Sequence, residues 1–224
     1  MTIICRPYFL TALALVVFLA GLLGGPQSPL DVAAIHWLAQ IRHSEPQLTS
    51  GVAILTQLGS AYVTLGLGAA TSLWLVWRGN RDRAILLAAT VAAERLVMDG
   101  VKLAIGRPRP WLEALPAMPS SASFPSGHSG NSMAVFVAIA LIALPSPRRN
   151  VALAVAILAS VMVGLTRPFL GVHWPSDVIG GWAFGLFTAG LAIVIGRRSG
   201  VTGLEPQHEI VGRHWLPVDQ DEAA

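Results

Sequence analysis

The stretch TRPFLGVHWPSD, residues 166–177, separates two apolar runs, 150–165 and 178–195, and sets an arginine, a histidine and an aspartate at their junction. Long apolar runs divided by short polar joints read as helices in lipid, where the backbone finds no water and satisfies its own polar groups. A charged cluster at the edge of such runs points to chemistry. His173 lies six residues after Arg167 and four before Asp177. It reads as a nucleophile with Asp177 as its orienter and Arg167 as an anion clamp. Two further polar islands border apolar runs, FPSGH at 124–128 and KLAIGRPRP at 102–110.

Composition supports the membrane reading. The 224 residues are 54% hydrophobic and 12% charged, with a mean hydropathy of +0.62, whereas a soluble domain carries about 25% charged residues. A formal charge of +3 and a pI of 9.7 would suit nucleic acid. The arginines, however, sit mainly in joints between apolar runs, so membrane topology explains them and no nucleic-acid partner is expected. The single cysteine, Cys5, excludes an intramolecular disulfide and a cysteine-built metal site.

Six spans are expected. Residues 8–25 form the first; they read as a span rather than a cleaved signal peptide, because the small residues at 21–25 make a poor cleavage pattern. Between 27 and 50, Leu30, Ala34, Trp37, Leu38 and Ile41 recur at helical spacing behind Ser28 and Pro29, which suit a cap and first turn. That segment reads as a short helix on the membrane surface or, equally, as a loop. Residues 51–77 and 84–105 make the second and third spans. The third contains Glu94, Arg95, Asp99 and Lys102, and a charge at the bilayer centre costs roughly 2.5 to 3.5 kcal/mol, so such residues face the bundle interior and pair. Arg95, Asp99 and Lys102 fall on one helical face, which predicts an Arg95–Asp99 pair with Lys102 emerging toward the site.

Residues 106–123 are rich in proline and small residues and read as a loop. The fourth span begins near Pro125, with the turn 126–132 inside the helix; 150–165 and 178–195 make the fifth and sixth. Residues 1–198 are thus expected to form one all-α, six-helix transmembrane domain. Residues 199–224 read as a flexible cytoplasmic tail, with no visible partners for His208 and His214. The pairs Gly21/Gly25 and Gly181/Gly185 would let helices approach closely. With six spans, Arg6, then Arg78, Arg81 and Arg83, then Arg148 and Arg149, then Arg197 and Arg198 share one side, the cytoplasm. Lys102, Arg107, Arg109, Arg167, His128, His173 and Asp177 share the other, where function rather than topology accounts for the positive charge.

Lys102, Arg109 and Arg167 facing one point make a site for a multiply charged anion, and arginine's planar fork suits phosphate oxygens. Pro125 fits a first helical turn, which would leave the N–H groups of Ser126 and Gly127 unbonded and aimed at that anion. Glycine allows close approach and the Ser126 hydroxyl adds a donor. His173 attacks with one ring nitrogen while the other donates to Asp177, and His128 protonates the leaving oxygen and later activates water. Zinc on His128, His173 and Asp177 is the rival arrangement. Three nearby cations would repel a metal ion, so no metal and no cofactor is expected. Trp111 and Trp174 read as interfacial aromatics. A phosphotransferase built on the same histidine, or a non-catalytic protein that captures or transports an anionic lipid, remains open on these residues.

These residues resemble the type 2 phosphatidic acid phosphatase family, related in fold and site to bacterial acid phosphatases and vanadium haloperoxidases. Its signature has three parts, K-x6-RP, PSGH and SR-x5-H-x3-D. Lys102 with Arg109 and Pro110 matches the first, Pro125 to His128 the second, and Arg167, His173 and Asp177 the third, with Thr166 where serine is usual. Arg107 stands at the wrong spacing and is assigned to the loop. The resemblance implies a six-helix bundle in a bacterial inner membrane with its site on the outer face. It also implies metal-free phosphohistidine catalysis on a lipid phosphate or diphosphate, undecaprenyl diphosphate, phosphatidylglycerophosphate and phosphatidic acid being the usual substrates. It does not choose among them, nor does it give an oligomeric state.

Overall fold

A computed structural model describes residues 7–110, 120–201 and 204. Its described residues form eight α-helices: α1 (Pro7–Gly21), α2 (Pro29–Ser44), α3 (Pro46–Leu55), α4 (Ala61–Trp77), α5 (Arg81–Ile105), α6 (Gly127–Ala138), α7 (Ser146–Phe169) and α8 (Pro175–Arg198). A 3-10 turn, Thr56–Gly59, joins α3 to α4, and a π-helical stretch, Ile139–Ala143, prolongs α6. Local chemistry sets these boundaries. Ser28 caps α2 by accepting from Asp31 N–H at 3.3 Å, with Pro29 in its first turn. Pro46 lacks the N–H needed to continue α2 and starts α3 instead. Gly106, at φ +61°, closes α5 in the left-handed conformation that glycine adopts without penalty.

The expected surface segment 27–50 is therefore two helices broken at Glu45–Pro46. The expected second span is bent: Pro46–Gly59 and Ala61–Trp77 lie 42° apart. Arg148–Phe169 and Pro175–Arg198 are long and apolar enough to cross a membrane, the bent pair makes a third, and the apolar helices Tyr8–Gly21 and Gly127–Ala143 are shorter. Length and composition alone thus mark two or three spans among the described residues and do not confirm the expected six. The fifth expected span also ends later than read, because α7 carries Thr166 and Arg167 in its last turn and runs past Pro168.

α8 packs against α1 and α6 at the centre of the bundle. A Cβ on Gly181 would come within 2.6 Å of Ser126 O, and one on Gly185 within 2.7 Å of Gly130 O. Only glycine admits the α6 backbone at this crossing, which brings the start of α6 against the start of α8. Leu75, Leu87, Met133, Ile142 and Ala189 fill the core beyond it. Val201 and Leu204 are buried in that same core, so packing continues past the expected tail boundary at 199. His208, His214, Cys5, Arg6 and Trp111 lie outside the described residues.

Basic joints gather at one end. Arg83 and Arg197 act electrostatically on Arg149, and the Arg198 guanidinium lies 5.8 Å from the Tyr8 ring at the start of α1. The polar islands gather at the other.

Candidate active site

Three separated stretches meet at this end: the loop after α5, the start of α6 and the turn between α7 and α8. Lys102, in the last turn of α5, donates from Nζ to Ala122 O at 2.8 Å. A Cβ on Gly127 would lie 3.8 Å from Lys102 Cε, so the KLAIGRPRP and FPSGH islands are neighbours. Arg109 bridges to the third stretch: Nη1 donates to Val172 O at 2.7 Å and stands 3.0 Å from His173 Nε2. Ser121 holds its other edge, taking Nε on the carbonyl at 2.9 Å and Nη2 on the hydroxyl at 3.2 Å.

The tautomer of His173 follows from donor counting. A guanidinium has no acceptor, so Nε2 facing Arg109 accepts, and the ring hydrogen sits on Nδ1, 3.4 Å from Asp177 Oδ2. Burial favours this neutral ring. His173 is 2% exposed, and desolvation pulls its pKa down to about 3 against the opposing hydrogen bond to Asp177. Burial likewise lowers the pKa of Arg109 from its ordinary value.

Asp177 is fully buried. Its Oδ2 accepts from the Ser123 hydroxyl and from Trp174 N–H, the latter at 2.9 Å. The Trp174 bond caps α8, and a carboxylate in that first turn also suits the helix dipole. Its Oδ1 accepts from Arg107 Nη1 at 2.8 Å. Arg107 lies in the loop to which its spacing assigns it and is also a buried ion-pair partner of Asp177. The signature spacing selects only Arg109. The available signal was a second Arg-Pro pair on the face whose positive charge topology leaves unexplained.

Arg167 is buried at the end of α7, donating from Nη1 to Thr56 Oγ1 at 2.7 Å. Its Nε is buried without a hydrogen-bond partner among the described residues. The His128 ring is partly buried and feels Arg167, Arg109 and Lys102 electrostatically. Lys102, Arg109, Arg167, His128, His173 and Asp177 are therefore brought together at one end of the bundle.

Several expectations change. Pro125 precedes α6 instead of opening it, and Ser126 is the N-cap. Ser126 N–H is bonded to Asp177 O at 2.9 Å, and its fully buried hydroxyl oxygen accepts from Ser129 at 3.0 Å. Ser126 thus ties α6 to α8, and the first-turn amides that a helix leaves unbonded begin at Gly127. Arg95 and Asp99 do pair, at 2.7 Å, but on a half-exposed face; Lys102 shares its buried face with Glu94 and Met98. Trp174 is buried and donates to Pro108 O at 2.9 Å, so it is a site wall rather than an interfacial aromatic. Thr166 Oγ1 lies 2.8 Å from Thr56 Oγ1, turning its hydroxyl toward the α3–α4 joint. Thr56, remote in sequence from every motif, and Ser123, which directly precedes FPSGH but meets Asp177 54 positions away, are site neighbours revealed by folding.

Comparison with known proteins agrees with this geometry. Residues 83–200 match the PAP2 superfamily. The chain is 37% identical over 141 residues to a lipid A 1-phosphatase of Rhizobium johnstonii, covering 59% of this chain and 53% of that one. It thus spans about half the length of that relative. It is 32% identical to phosphatidylglycerophosphatase B of Bacillus subtilis, covering 63% of this chain and 72% of the relative. It is also 29% identical to an undecaprenyl-diphosphatase of Sulfolobus acidocaldarius, covering 63% and 67%. Its fold aligns with the crystal structure of a transmembrane PAP2-type phosphatidylglycerolphosphate phosphatase from Bacillus subtilis at a TM-score of 0.74 and 29% identity, over 86% of this chain and 96% of that one. With a family match over half its length and that match lying on the residues that build the site, this chain belongs to the PAP2 superfamily.

Proposed function

We propose that the protein is an integral-membrane phosphatase that hydrolyses a lipid phosphate monoester or diphosphate through a phosphohistidine, without a metal ion. The observation that carries this reading is the placing of the His173 ring, Nδ1 3.4 Å from Asp177 Oδ2 and Nε2 3.0 Å from Arg109 Nη1, which assigns the hydrogen to Nδ1 and the lone pair to Nε2. On substrate binding, Arg109 exchanges Nε2 for a phosphoryl oxygen, Arg167 turns its unpartnered Nε to another, and Lys102 and the Gly127 amide complete the cradle. Nε2 attacks phosphorus as the P–O bond to the lipid breaks, and His128 gives its proton to the departing oxygen. His128 then takes a proton from water, whose oxygen displaces His173 and frees phosphate. Three fixed cations spread the transition-state charge.

We assign the lipid chain to an apolar cavity. It measures about 510 Å³ and runs beside α8 between α1, α6 and α7, from Ile179, one half-turn past Asp177, to Arg197. Six crossings place every basic joint on the cytoplasmic side and the site on the periplasmic or outer side of a bacterial inner membrane, with α3 and α4 as one bent span. The substrates to try are lipid A, phosphatidylglycerophosphate and undecaprenyl diphosphate, after the names of the relatives, with phosphatidic acid beside them.

Phosphate release from that panel by detergent-purified protein in excess EDTA, beside His173→Ala, tests the reading. Release that survives EDTA but not the substitution is expected. Loss of release in EDTA would move the histidines to a metal site, and no release from any lipid would sink the phosphatase assignment.

A further inference from the structure

Asp31, at the start of α2, precedes the segment matched by the family yet reaches the back of the site. It is 4% exposed. Its Oδ1 accepts Ser176 N–H at 3.1 Å, and its Oδ2 accepts both the Ser176 hydroxyl and Gly25 N–H, the latter at 2.6 Å. The Ser176 oxygen in turn accepts from Arg107 Nη1 at 3.3 Å, the nitrogen that also donates to Asp177 Oδ1 at 2.8 Å. Arg107 Nη2 spends its two hydrogens on Gly21 O at 3.1 Å and Leu22 O at 3.0 Å. Its guanidinium lies 4.3 Å over the Phe124 ring. The result is a line of alternating charge, Asp31, Arg107, Asp177, running from α2 to the histidine with Ser176 bridging the first two.

We propose that Asp31 and Arg107 are positioning residues for the His173–Asp177 pair, a buried relay through Ser176 that holds the carboxylate from behind; this deepens the phosphatase reading above and rests on it. Both Nη1 hydrogens are committed, one to each end of the relay, so the guanidinium cannot shift without releasing Oδ1. While Oδ1 is held, Oδ2 alone faces Nδ1 and the ring keeps its lone pair on Nε2. Arg107 also balances the charge of Asp177, which a neutral His173 does not. Asp31 keeps Arg107 on line by fixing Ser176 through both its amide and its hydroxyl. An element outside the matched segment thereby sets the geometry of the catalytic pair.

The test compares Arg107→Lys, Asp31→Asn and Ser176→Ala, each alone and combined with Asp177→Asn, in the full chain. It uses the panel lipid that the wild type turns over fastest. Each single variant is expected to lose about 10- to 100-fold in kcat, the scale found for groups that orient metal ligands from behind, with KM unchanged. In the Asp177→Asn background the same changes should add nothing, because they act through that carboxylate. Losses that multiply with Asp177→Asn, or a raised KM with kcat intact, would overturn the relay. Ser176→Ala removes only a hydroxyl, so it carries the comparison if either charged variant fails to fold. Should the wild type release phosphate from no lipid, the phosphatase reading falls. The relay is then decided by the ¹⁵N spectrum of the His173 ring, whose Nδ1 hydrogen should lose occupancy in the variants; identical spectra would refute it.

Discussion

The two ends of this bundle use the same residue for different purposes. At one end Arg78, Arg81, Arg148 and Arg198 are exposed in short joints. At the other, Arg107, Arg109 and Arg167 are each less than 9% exposed and committed to named acceptors. An exposed arginine keeps its water and serves topology, and its neighbours ask little of it. A buried one has lost that water and is tolerated only where carboxylates, carbonyls or a ligand replace it. On the proposed reading the difference separates orientation from chemistry within a single chain, and each of the following measurements sharpens or breaks it.

The largest effect is expected at the proposed nucleophile. His173→Ala should abolish phosphate release, and Asp177→Asn should reduce kcat by about 10⁴-fold, as loss of the orienting carboxylate does in a serine triad. A loss below about tenfold at Asp177 would contradict its role as orienter of the ring. Next come the cations: Arg167→Ala should cost about 10²- to 10³-fold in kcat, the scale of one lost transition-state donor. Arg81→Ala at the opposite end should stay within about twofold, as exposed substitutions do. Equal losses at the two positions would erase the distinction between the ends.

Stability should divide the same way. Arg107→Ala leaves the Asp177 carboxylate without its buried partner and should destabilise the fold by about 3–5 kcal/mol, read from thermal or denaturant unfolding in detergent. Arg148→Ala should leave that unfolding curve in place. The smallest effect concerns pH. Since the His173 pKa lies near 3 in the folded chain, below its ordinary value of about 6.5, the ring is neutral in both states above that value and adds no pH dependence there. As pH falls below about 6.5, the unfolded chain takes a proton that the folded one refuses, so this residue makes stability decline toward pH 3. The ring resonance that disappears in His173→Gln should not titrate between pH 5 and 8. A midpoint near 6.5 would show that the ring is solvated.

Lys102, Arg109, His128, Arg167, His173 and Asp177 were legible as candidates because each sits at a short, fixed distance along the chain from a turn or helix end. Local spacing of that kind is a property of the sequence. The same holds for the apolar runs that became α1, α4, α5, α7 and α8. Errors fell where the answer depended on what lay opposite. Ser126 N–H looked free because its acceptor, Asp177 O, is on another helix. Helical spacing groups Lys102 with Arg95 and Asp99 because it cannot say which of two faces turns inward. The bend between α3 and α4 and the burial of Val201 and Leu204 are likewise set by neighbours.

Legible in the residues alone are an all-helical membrane protein, the residue types proposed for an anion site and their order along the chain. Periodicity and spacing encode these within one turn or loop. Folding is what sets Arg107 on Asp177, Asp31 and Thr56 behind the proposed catalytic pair and clamp, and Arg109 Nη1 against His173 Nε2. Those contacts span 70, 145, 111 and 64 positions of the chain, and only the packing of α2, the α3–α4 joint and the loop after α5 against α7 and α8 brings them within reach.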